Sequence, residues 1–130
     1  MYEMKDEYLT GIPSIDKEHT RIFAIAQQIH ELQQEEFIVD KYDELKVILE
    51  ELRDYTLTHL EHEEAYMKSI DYKRFFMQKV QHDSFRDQIE DMNFQLEDDD
   101  VDEMITGVLE LITNWLIEHI LENDVLIGQP

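Results

Sequence analysis

Six histidines, His19, His30, His59, His62, His82 and His119, are the side chains best equipped for chemistry in this sequence. Four of them, His19, His59, His82 and His119, fall on the apolar sides of four different helix-periodic segments. A lone histidine on an apolar face is usually a satisfied core residue. Four are harder to accommodate, because an unpaired imidazole in a dry interior costs free energy. A metal held between facing helices satisfies all of them. Two carboxylates sharpen this reading. In HLEHE, Glu63 follows His59 by four residues, which places both on one face of a helix. In HILEND, Asp124 follows His119 by five, a spacing that needs a loosened last turn or a helix end. Imidazoles mixed with carboxylates suit iron, manganese or zinc, and two carboxylates can bridge two metals.

Other metal signatures are missing. No histidine has a glutamate three residues before it, as the E-x-x-H pairs of ferritin-like bundles require; the nearest case is Asp16 before His19. The H-E-x-x-H motif of zinc hydrolases is also absent. With no cysteine, disulfides, thiolate metal sites and cysteine nucleophiles are excluded.

Four helices must position these residues. The first is expected from about Ile15 to Glu36, with Ile22, Phe23, Ala26 and Ile29 inward and Ser14 as N-cap after Pro13. The second is expected over Lys41–Ser69, capped by Asp40, with Leu45, Ile48, Leu49, Leu52, Tyr55, His59, Tyr66 and Ile70 on one broad face. The third is expected over Tyr72–Leu96, capped by Asp71, with Phe75, His82, Phe85, Ile89 and Met92 inward. The fourth follows the acidic run 97–100, which suits a helix N-terminus. Val101, Met104, Ile105, Val108, Ile112, Trp115 and His119 mark its buried side. Short connections imply antiparallel neighbours, so the expected fold is all-α, an up-down-up-down four-helix bundle over residues 14–127. Residues 1–13 form a non-helical arm, with Tyr2, Tyr8, Leu9 and Ile12 available to pack over the bundle.

The bulk numbers agree. A chain of 130 residues makes one domain with one core. At 42% apolar it is no disordered segment, and with only 3 Gly and 2 Pro it is no hairpin-rich β fold. A formal net charge of −21 repels phosphates and anionic lipid, so neither nucleic acid nor membrane is expected as a partner. No signal peptide opens the sequence and no apolar run approaches the roughly 18 residues that span a bilayer. The expected address is the cytoplasm.

The pattern as a whole resembles the hemerythrin family. The matching stretches are GIPSIDKEHTRIF (11–23), YTLTHLEHEEAYM (55–67), YKRFFMQKVQHDSF (72–85) and NWLIEHILENDVLI (114–127). The family pattern is a histidine in helix one, H-x-x-x-E in helix two, H-x-x-x-H in helix three and H-x-x-x-x-D in helix four. The resemblance implies a four-helix bundle with a non-haem di-iron centre that binds O2. It implies that His19 and His59 ligate one iron, that His82 and His119 ligate the other, and that Glu63 and Asp124 bridge them. An oxo or hydroxo bridge is a further option it leaves open. It also places Ile22, Leu60, Trp115, Leu116 and Ile120 around the O2 pocket, where ordinary core packing is the alternative.

One position departs from the pattern. Gln78 stands four residues before His82, where the family has its remaining histidine. An amide oxygen is a weaker donor to iron than an imidazole. Three outcomes are open. Gln78 ligates through its oxygen, it leaves an open position, or that side loses its metal. His62, three residues after His59, is expected at the surface or between helices, and His30 at a bundle end or surface. Three functions follow: reversible O2 binding for storage, delivery or sensing; oxidase, peroxidase or nitric oxide chemistry at an open iron; or a metal-poor bundle. With no dedicated substrate pocket or clear general acid in view, the expectation is a binding protein rather than an enzyme.

Overall fold

Isoleucine and leucine at helical spacing decide the architecture. In the computed structural model, which describes residues 2–35, 41–90 and 101–128, the chain forms α1 (Pro13–Gln34), α2 (Lys41–Ser69), α3 (Phe75–Glu90) and α4 (Val101–His119). A π-helical turn over Ile120–Asp124 and the single turn α5 (Val125–Ile127) follow. The four long helices form the antiparallel up-down-up-down bundle. α1 packs beside α2 and α4, and α2 beside α3. Phe85 of α3 and Trp115 of α4 stack at 3.9 Å and close the ring of helices.

The core is built from the inner stripes. Ile22, Phe23, Ala26 and Ile29 of α1 meet Leu45, Leu49 and Leu52 of α2, Phe85 and Ile89 of α3, and Ile105, Val108 and Ile112 of α4. Ile48, Tyr55, Tyr66, Phe75, Met104 and Trp115 are half-buried. Ile70 is 45% exposed because α2 has ended before it. The proposed cap Asp40, the continuations to Glu36 and Leu96, Met92, the run 97–100 and the Val101 side chain lie outside the described residues.

Two helix boundaries differ from expectation, each for a local reason. Ser14 does not cap α1. Pro13, whose fixed φ suits the first helical position, starts the helix, and Ile12 holds the cap position. Asp16 instead reaches back to the arm. Its carboxylate accepts from Thr10 N and Thr10 Oγ1, both at 2.8 Å, and from Gly11 N at 3.1 Å. Gly11 has φ 84°, a conformation that glycine adopts without a Cβ penalty. At the other boundary, Asp71 closes α2 rather than capping α3. It sits at φ 50°, its N–H donates to Lys68 O, and the N–H of Tyr72 donates to Met67 O at 3.0 Å. That is the Schellman pattern, with aspartate in the left-handed position where glycine is commonest. α3 therefore begins at Phe75, not Tyr72.

The arm contains one 3₁₀ turn, Asp6–Tyr8, and packs as expected at Tyr8 and Ile12, which are buried. Tyr8 stacks on Phe23 at 5.6 Å. Tyr2 packs against the core, but Leu9 is 51% exposed, since Tyr8 takes the inward position beside it. The last helical stretch, Asp102–Ile127, is long and apolar enough to cross a membrane by length and composition. That corrects the expectation that no segment meets this test. Its inner face is buried in the bundle and carries His119 and Asp124, as a core helix does.

Candidate metal centre

Each helix delivers one imidazole to a common point. His19 comes from α1, His59 from α2, His82 from α3 and His119 from α4, and all four are buried. Glu63 lies one helical turn after His59 and is fully buried. Asp124 needs a backbone device. Five residues along an ideal α-helix turn it about 140° away from His119. The π-helical turn over Ile120–Asp124 widens the spiral and returns Asp124 to the His119 face. This is the loosened last turn that the five-residue spacing called for.

The donors form two clusters that share both carboxylates. One comprises His19, His59, Glu63 and Asp124; the other comprises Glu63, His82, His119 and Asp124. His59 Nε2 is 3.2 Å from Glu63 Oε2, and His19 Nε2 is 3.6 Å from that oxygen and 3.4 Å from Asp124 Oδ2. On the other side, His82 Nε2 lies 3.2 Å from Glu63 Oε1, and His119 Nε2 lies 3.2 Å from Asp124 Oδ1. The Nε2 atoms of His82 and His119 face each other at 3.2 Å. Despite these approaches, six buried side-chain atoms among the described residues have no hydrogen-bond partner: both nitrogens of His19, both oxygens of Glu63, Gln78 Oε1 and Asp124 Oδ2. Buried polar atoms are normally paired. The contacts of His19 with Glu63 and Asp124 are short enough for ion pairing but lack hydrogen-bond geometry. Four of these atoms, His19 Nε2, both oxygens of Glu63 and Asp124 Oδ2, face one another, and cations bound between the helices would satisfy them. The residues therefore fit a carboxylate-bridged metal pair.

A second layer of side chains orients the imidazoles. Glu18 Oε1 is 2.9 Å from His59 Nδ1, and Glu18 Oε2 is 2.6 Å from Nδ1 of His62. Glu64 Oε2 is 2.8 Å from His82 Nδ1 and accepts from Arg86 at 2.7 Å. Such carboxylates hold the ring in place and raise its basicity toward a metal. Asn123 Nδ2 sits 3.5 Å from His119 Nδ1. Trp115 stacks on the His119 ring at 4.4 Å and 11°.

The electrostatics follow from this geometry. Burial alone would lower the basicity of His59, but the hydrogen bond to Glu18 and the close Glu63 carboxylate push its pKa up to about 10. His19 is raised in the same way: Asp124 and Glu63 outweigh burial. For His82, Glu63 and Glu64 outweigh it. Burial would raise Glu63, yet His19, His59 and His82 hold it well below the carboxylate range. The cluster is a buried, charge-dense knot, and a metal cation bound there would take the place of imidazole protons.

Gln78 is fully buried at the family's remaining histidine position. Its Nε2 donates to Asp124 Oδ1 at 3.2 Å, which sets its amide at the edge of the second cluster. His62, 60% exposed, and His30, beside Tyr2, stay outside both clusters. Ile22, Leu60, Leu116 and Ile120 are buried in the main core. Trp115 is half-buried and lines a cleft between α3 and α4. Glu18, Glu64, Arg86 and Asn123 were missed by sequence reasoning. Glu18 and Glu64 each adjoin a cluster residue in sequence, but so do other acids in this chain, and only the packing singles them out.

Comparison with known proteins agrees. The family model described as "Hemerythrin HHE cation binding domain" matches residues 10–128. The chain is 44% identical over 124 residues to a bacteriohemerythrin of Clostridium acetobutylicum, covering 95% of this chain and 96% of that one. It is 30% identical over 121 residues to a bacteriohemerythrin of Pseudomonas aeruginosa, covering 92% and 74%. No solved structure matches. With the family model spanning nearly all of the bundle and the four-helix cluster in place, the chain belongs to the hemerythrin family.

Proposed function

We propose that this chain holds two non-haem irons and binds O2 reversibly, as a cytoplasmic store, carrier or sensor component rather than an enzyme. The observation that carries this reading is the pair of four-donor clusters sharing Glu63 and Asp124. When bound, the iron pair supplies the electrons that O2 takes up on binding and returns on release. The protein does the rest. Glu63 and Asp124 keep the two metals in register. Glu18 fixes His59, and Glu64 with Arg86 fixes His82, each through the ring nitrogen turned away from the cluster. We assign Ile22, Leu60, Trp115, Leu116 and Ile120 to the O2 pocket. The four aliphatic members are buried and exclude water, which protects bound O2 from protons.

Gln78 favours a second reading, in which an open iron supports oxidase, peroxidase or nitric oxide chemistry. The two separate in one experiment. The protein is loaded with ferrous iron without air, exposed to O2 and followed by visible absorption through cycles of oxygenation and degassing. A ligand-to-iron band that forms and reverses is the expected result. Irreversible decay to the ferric state would refute the carrier reading and support the second.

A further inference from the structure

We propose that the metal beside Gln78 is a second ligand-binding site, reached through the cleft between α3 and α4, for a small uncharged ligand held against the Gln78 amide. The proposal rests on the iron-pair reading above. Each cluster offers two imidazoles and the same two carboxylates. Two imidazoles with carboxylate ligation leave open positions at a non-haem iron. The two metals are thus equivalent in donors, and only Gln78 distinguishes the second.

The Gln78 amide is placed to serve a bound ligand. An ionised carboxylate only accepts, so the atom facing Asp124 Oδ1 at 3.2 Å is the nitrogen. That bond uses one of the two N–H groups. Oε1 is buried and has no partner. A side chain with an unspent donor and an unspent acceptor beside an open metal position can hold a small ligand by hydrogen bonds. A third imidazole could not, since it would fill the position itself.

The cleft supplies the route. It encloses about 380 Å³ between Val80, Gln81 and Ser84 of α3 and Trp115 and His119 at its α4 side. His119, a donor of the second cluster, lines the cleft at 4% exposure, whereas His19 is fully buried. Glu118 and Glu122 also line the cleft. On a chain of net charge −21 they repel small anions and leave neutral molecules unhindered.

The test uses the ferrous-loaded protein and nitric oxide as the neutral probe. Iron per chain is counted first, then nitric oxide uptake is titrated and N–O stretching bands are read by infrared spectroscopy. Two irons and two nitric oxide molecules per chain, with two distinct bands, are expected. Gln78→Leu should shift one band alone and weaken that site by about tenfold, the loss of one hydrogen bond. Gln78→His should remove that band and leave one molecule per chain. Val80→Trp, which fills the cleft, should slow uptake at the same site only. Two irons with one nitric oxide, or bands unmoved in Gln78→Leu, would overturn the proposal and leave the iron pair standing. Fewer than two irons per chain would overturn both.

Discussion

Removing the metal should cost this protein a large share of its stability, and the cost should grow with pH. Four buried polar atoms, His19 Nε2, Glu63 Oε1 and Oε2, and Asp124 Oδ2, converge without hydrogen-bond partners. At about 1 kcal/mol each, the low end for a buried group left unsatisfied, they cost on the order of 4 kcal/mol. A domain's whole stability is about 5–15 kcal/mol. For a chain of this size about 1 kcal/mol moves Tm by roughly 4 °C, so chelation should lower Tm by about 16 °C. The pH dependence comes from His59, raised from 6.5 to about 10 in the fold. Below pH 6.5 both folded and unfolded chains bind that proton, and its stabilising contribution is complete. Between pH 6.5 and 10 only the folded metal-free chain holds it, so the contribution is lost as pH rises. His19 and His82, also raised, act in the same direction. The metal-loaded form has exchanged those protons for cations and should lack this loss. Calorimetric melts of loaded and chelated protein at pH 6.5 and near pH 10 should therefore show a gap that widens with pH. Chelated and loaded protein melting within a few degrees of each other at both pH values would refute the assignment of the orphaned atoms to a metal pair.

Two further outcomes test the surroundings of the site. Glu64→Ala removes the carboxylate behind His82 and should weaken metal binding on that side about 10- to 100-fold, read as iron per chain at limiting metal. Gly128→Ala would drive a Cβ into the backbone oxygen of Thr10, forcing the C-terminal turn off the arm; thermal melts should show a loss of about 1–3 kcal/mol.

Much of this centre is legible in the chain because its donors recur at helical spacing. His59 and Glu63 share a face by the i, i+4 rule alone. Apolar periodicity is sufficient to identify four helices, and one imidazole per helix is sufficient to bring them to one core. The five-residue step from His119 to Asp124 also announced its own irregularity, since no α-helix places both on one face. The helix boundaries were less legible. Asp71 and Ser14 are both good caps by type, and local propensity cannot say that Asp71 would end one helix instead of starting the next.

Which side chains meet across helices is settled by packing alone. Glu18 reaches His59 over 41 residues of chain, and Glu64 reaches His82 over 18, and no periodicity in sequence encodes either pairing. The same holds for Gln78. The sequence marks it as a departure from the family pattern, but its bond to Asp124 and the cleft beside His119 exist only once α3 and α4 are packed. Spacing along one helix is set by backbone geometry and is carried in the order of residues. Contact between helices is set by how their side chains fill shared space, and it appears only when the bundle is assembled.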